Sequence, residues 1–159
     1  MEHDKELREQ LAKVMDWNEA HADLSAAVSG LPAELRGRVP DGLPYSAWQL
    51  LEHMRIALWD ILEFSRDAKH KSPEWPEGYW PKKAAPPSEA AWESSVNSIR
   101  ENLEAMRKLV GDPKQDLFAR IPHGTGQTLL RQAVLIGDHN AYHIGQLVLV
   151  RKALGAWKG

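Results

Sequence analysis

At 159 residues, with 43% hydrophobic and 26% charged, the chain has the size and composition of one ordinary globular domain, which excludes disordered and fibrous classes. A formal net charge of −2 with scattered basic residues excludes the phosphate-neutralising stripe of a nucleic-acid binder. The absence of cysteine removes disulfides, thiolate zinc sites, iron–sulfur clusters and a cysteine nucleophile together.

The opening segment, MEHDKELREQ, is charged from its second residue and carries no signal-peptide pattern. No apolar run approaches the roughly 20 residues that span a bilayer. The expectation is a cytoplasmic protein, off the membrane, with residues 1–159 forming one domain.

The first predicted helix runs over residues 4–29. Leu7, Leu11, Val14, Trp17, His21, Leu24 and Val28 follow three- and four-residue spacings, and Gly30 and Pro32 end it. A loop with Pro40, Gly42 and Pro44 leads to Ser46. Ser46 with Gln49 three residues on is a capping box for the second helix, whose inward seam reads Leu50, His53, Ala57, Ile61 and Phe64.

Residues 70–87 hold five prolines and the aromatic residues Trp75, Tyr79 and Trp80. A connection of that length inside a compact domain reads as a crossover strap or a lid. The aromatic cluster is expected to cover a site mouth or enter a dimer interface. Ser88 caps the third helix, whose Trp92, Val96, Ile99, Leu103, Met106 and Val110 form a heptad row ended by Gly111. After a Pro- and Gly-containing loop over 112–127, the fourth helix spans 128–154, with the seam Ile136, His139, His143, Leu147, Val150 and Leu154. No strand pattern competes. The fold class is all-α, a four-helix bundle with one long crossover connection.

The sharpest local feature is His139-Asn-Ala-Tyr-His143. Residues four apart on a helix share a face, so both imidazoles can reach one ion, the spacing that two helical zinc ligands need. Peptidases of this spacing carry Glu directly after the first His as general base. Asn140 stands there instead, so a zincin-type peptidase is disfavoured. Both histidines interrupt an apolar row and point inward, where an imidazole lacking a partner costs roughly 1–3 kcal/mol. Hydrogen-bonded core histidines would answer that demand, and so would a metal. His53 in the second helix favours the metal, because bundle sites are assembled from facing helices. Three neutral imidazoles would leave a divalent ion at least one open position.

The segments SAWQLLEHMRIALWDILEFSRD and DHNAYHIGQLVLVRKALGAW together resemble the DinB-like superfamily over essentially the whole chain. That group includes bacillithiol- and mycothiol-dependent S-transferases and proteins described as metal-dependent hydrolases. The resemblance implies a four-helix bundle with a long crossover, a metal held by His53, His139 and His143, and a homodimer. It does not imply one reaction. Zinc and nickel head the candidate ions, with iron and manganese behind them, since imidazoles suit several and availability decides.

Further candidates surround this set. His21 is expected inward on the first helix, as a substrate contact, a fourth ligand, a proton carrier or a hydrogen-bonded core residue. Trp59 and Tyr142 are candidate substrate contacts, with Gln146, Trp48 and Trp92 as possible pocket lining. Asp60 and Asp138 could orient a ligating imidazole through its second nitrogen. Glu52, about 100° around the helix from His53, points to a neighbouring helix or to solvent. His70 and His123 are expected in solvent.

Two function classes remain. One is a metal-dependent enzyme acting on a small molecule, by thiol S-transfer with a low-molecular-weight thiol as cosubstrate, or by hydrolysis. The lack of an obvious general base favours the thiol route. The other is a non-catalytic bundle that stores metal, uses it only for stability in a stress response, or holds none.

Overall fold

The computed structural model describes residues 2–158. Among the described residues there are five α-helices: α1 (Glu2–Val14), α2 (Leu24–Val28), α3 (Ala47–Arg66), α4 (Glu89–Gly111) and α5 (Leu129–Ala153). Single 3₁₀ turns lie at Ala33–Leu35 and Glu77–Tyr79. The four long helices make an all-α bundle, with α3 packed between α4 and α5, and α1 closing the other side against the same two.

The helix starts follow local chemistry. Ser46 accepts the backbone N–H of Gln49 while the Gln49 side chain accepts the N–H of Ser46, satisfying two otherwise orphaned donors. Ser88 and Thr128 cap α4 and α5 through their hydroxyls alone, which accept the N–H of Ala91 and of Arg131. The α4 heptad row is buried throughout, from Trp92 to Val110, against Leu51, Met54, Leu58 and Leu62 of α3 and Ala133, Ile144 and Leu147 of α5. Among the described residues no helix is long and apolar enough to cross a membrane.

The N-terminal region corrects the sequence expectation. The expected single helix over 4–29 stops at Val14, and a turn separates it from the short α2. Asp16, Trp17 and Asn18 stand at the break, and short polar side chains compete there with the helical ladder. Asp16 turns its carboxylate onto the N–H of Leu24, and Asp23 caps α2 through the N–H of Ala26. The freed carbonyls at the end of α1 are taken by other helices. Asn140 of α5 donates to the carbonyl of Met15, and Arg107 of α4 donates to that of Ala12. The approach of this end to α5 is so close that a Cβ on Gly137 would lie 2.9 Å from the carbonyl oxygen of Val14.

The connection between α3 and α4 retraces α3 in reverse. His70 contacts Asp60 near the helix end, Tyr79 and Trp80 contact His53 in its middle, and the carbonyl of Ala84 accepts the Ser46 hydroxyl at its start. The strap is therefore fastened at three levels along one helix.

Candidate metal centre

His53 of α3 and His139 and His143 of α5 converge, each offering a ligand atom within 4.8 Å of the others. His53 and His143 are buried and His139 is half-buried. The imidazole centroids stand 4.9 Å (His53–His139), 4.6 Å (His53–His143) and 4.4 Å (His139–His143) apart. Helical spacing places the α5 pair on one face, and the packing of α3 on α5 brings the third ring across.

The outward nitrogens fix the state of the inward ones. Nδ1 of His53 lies 2.9 Å from the carbonyl oxygen of Tyr79, which can only accept, so Nδ1 carries the proton and Nε2 presents a lone pair. Nδ1 of His143 lies 2.7 Å from Oε1 of Gln146 and donates to it, which leaves its Nε2 as a lone pair too. Nε2 of His139 faces Nε2 of His53 at 3.0 Å. Two nitrogens bound to one zinc at about 2.0 Å and tetrahedral angles stand about 3.3 Å apart, close to that separation.

Protonation opposes this arrangement. Burial lowers the His139 pKa to about 3, with help from the neighbouring His143 and His53. Burial lowers His143 to about 4, with His53 adding to it, and also lowers His53. The rings are neutral at pH 7, the state in which imidazole ligates metal. Neutral imidazoles whose ligand atoms meet at a shared centre fit a divalent cation, and the group could hold one.

The walls come from the strap. The Trp80 indole stacks on the His53 imidazole at 3.9 Å and 3°, and Tyr45 stacks on the far face of Trp80 at 4.2 Å. The expectation that strap aromatics cover the site holds for Trp80, whereas Trp75 is exposed. Tyr142 is exposed, its ring 4.9 Å from that of His143 and edge-on. Trp48 and Trp92 are core residues.

A family model of the DinB superfamily matches residues 6–147, a span that contains all three histidines. The chain belongs to the DinB superfamily. No curated protein and no solved structure matches it significantly.

Among the other candidate ligands and substrate contacts of this DinB-superfamily chain, one departs from its expected place. His21 is exposed in the turn before α2 and hydrogen-bonded to the carbonyl of Ala22, because α1 ends before reaching it. It is not on an inward seam. Trp59 is half-buried with its ring edge-on to His70 at 5.0 Å. Asp138 is exposed. Glu52 binds Arg55 and accepts the Ser95 hydroxyl of α4, the neighbouring-helix role expected of it.

His70, expected in solvent, has a buried side chain whose Nε2 donates to Asp60 at 2.8 Å. His123 is exposed, with Nε2 donating to the carbonyl of Phe64. Asp60 is buried, and its second oxygen accepts the Tyr79 hydroxyl at 2.6 Å. Burial and the Asp60 carboxylate push the Tyr79 pKa up to about 12, so the hydroxyl stays a donor. Asp60 thus reaches His53 through Tyr79 rather than directly. The sequence offered Asp60 as a carboxylate orienting a ligand, and the link through Tyr79 had no signal beyond the aromatic character of the strap.

Proposed function

We propose that this protein is a metal-dependent enzyme that joins a low-molecular-weight thiol to a small electrophilic substrate, with a divalent ion, zinc or nickel foremost, on His53, His139 and His143. The observation that carries the reading is the composition of the cluster, three neutral imidazoles and no carboxylate. A divalent ion held by these three uncharged ligands would keep its full charge and would supply Lewis acidity to a bound thiol or water.

The chain's own residues do the rest. His53 and His143 are locked in the tautomers that aim Nε2 at the centre. Trp80 and Tyr45 keep water from one side. Tyr142, exposed at the edge of His143, is placed to meet substrate.

Hydrolysis at the same centre is the second route, and it calls for a general base. Asp60 is committed to Tyr79 and His70, Glu52 to Arg55 and Ser95, and Asp138 is exposed, which favours the thiol route. A homodimer fits the reading as well. Val134, Tyr142 and Leu149 leave large apolar groups exposed along α5, and light scattering on the purified protein tests for the pair.

The test couples metal quantification on protein purified without a histidine tag to a screen of electrophiles against bacillithiol, mycothiol, glutathione and cysteine. The expected result is one metal per chain and metal-dependent thiol conjugation. Cleavage of esters or amides without conjugation transfers the case to the hydrolase. Stoichiometric metal with neither activity leaves a non-catalytic metal-binding bundle.

A further inference from the structure

We propose that Asp60 is a positioning residue for the metal centre, acting across the strap: it grips Tyr79 and His70 so that the Tyr79 carbonyl locks the imidazole of His53. The inference rests on the metal-binding reading above and deepens it.

Asp60 lies seven residues after His53 on α3, two turns along nearly the same face. Both of its oxygens are used, and both partners belong to the strap. The Tyr79 hydroxyl donates at 2.6 Å and the His70 ring at 2.8 Å. A buried carboxylate demands such donors, and here they fix two strap positions nine residues apart.

Tyr79 then acts through two different atoms. Its hydroxyl is held by Asp60, while its main-chain oxygen accepts Nδ1–H of His53 at 2.9 Å. The next residue, Trp80, lies flat on the same imidazole. A ligand whose far nitrogen is held by an oxygen acceptor has its tautomer and its ring plane set before metal arrives. In this chain the acceptor is main chain, and the side chain that secures it sits two turns away on the ligand's own helix. No side-chain substitution at Tyr79 can delete the carbonyl itself, so its placement is exposed to test through the hydroxyl and Asp60.

The experiment uses the full chain with Tyr79→Phe, Asp60→Asn and the double substitution. Glu52→Gln serves as a control that disturbs the α3–α4 tie beside His53. Zn2+ affinity is measured by competition with a chromophoric chelator, and the His53 Nδ1–H signal is followed by NMR in the metal-free protein. Each single variant is expected to weaken Zn2+ binding roughly 10–100-fold, the range for outer partners of metal ligands. The double variant should be no weaker than Asp60→Asn, because Tyr79→Phe removes a bond that Asp60→Asn has already weakened. In metal-free protein the His53 Nδ1–H should be protected from solvent exchange in the wild type and in Glu52→Gln, and should lose protection in Tyr79→Phe.

Affinities unchanged within about twofold, or an equal loss in Glu52→Gln, overturn the proposal. If Asp60→Asn fails to fold, Tyr79→Phe, which removes one oxygen, decides alone. If wild-type protein takes up no zinc, the metal reading falls by itself. The Asp60–Tyr79 fastening is then judged on the metal-free signal, where unchanged protection in Tyr79→Phe refutes it.

Discussion

The two halves of the histidine cluster are positioned by different physics. His139 and His143 lie on one helix, and a spacing of four residues brings them together by helical geometry alone. Among the described residues, the polar side-chain partner of His143 outside the cluster is Gln146, on the same helix three residues on. His53 depends on tertiary structure instead. Its ring is set by the carbonyl of Tyr79, 26 residues away in sequence, and covered by Trp80. One half is a local device and the other a non-local one, so damage to the strap should reach His53 first.

The largest effect should come from the local half. His143→Ala or His139→Ala is expected to reduce bound metal from about one per chain to background while the helical circular dichroism persists, because the apolar core around Leu51, Met54, Leu58 and Met106 is untouched. Near-stoichiometric metal in either variant would break the comparison at its root.

The next effect is the pH dependence of the metal-free protein. All three histidines have pKa values depressed by burial, so the unfolded chain binds protons that the folded chain refuses. Stability from this source is complete above about pH 6.5 and is lost as pH falls toward about 4. A Tm lower by several degrees at pH 5 than at pH 7 is expected. His139→Ala should flatten that slope; an unchanged slope would show that the depression does not come from the cluster.

Trp80→Ala sharpens the contrast between the halves. Loss of the stack should cost about 0.5–1.5 kcal/mol beyond the lost apolar burial. In NMR spectra the ring signals of His53 should move more than those of His139. The smallest effect belongs to His21→Ala, within about 0.5 kcal/mol of wild type in denaturant unfolding and with full metal content, as befits an exposed turn residue.

The legible parts of the molecule are those governed by short-range rules. Ser46 with Gln49, the Ser88 cap and the α4 row from Trp92 to Val110 all appear in the structure as their spacing predicted. The three histidines were found the same way, as polar interruptions of apolar seams. The early end of α1 was not legible. Three- and four-residue periodicity continues past it through Leu24 and Val28, while the side chains that take its carbonyls, Asn140 and Arg107, are remote in sequence. That misplacement carried His21 onto an inward face. The strap's contacts were equally hidden, since a proline-rich connection has no periodicity. His70 consequently reads as a solvent residue although Asp60 holds it inside.

The tie between α1 and α5 also settles what this helix cannot become. Asn140 occupies the place after the first histidine where a zinc peptidase keeps its glutamate, yet its amide is buried and spent on the Met15 carbonyl. A glutamate installed there would face that carbonyl, oxygen against oxygen, in a buried site. The substitution would loosen the seam between the two helices and bring no proton acceptor to the histidines. The docking of the first helix thus disfavours a zincin-type glutamate at this position.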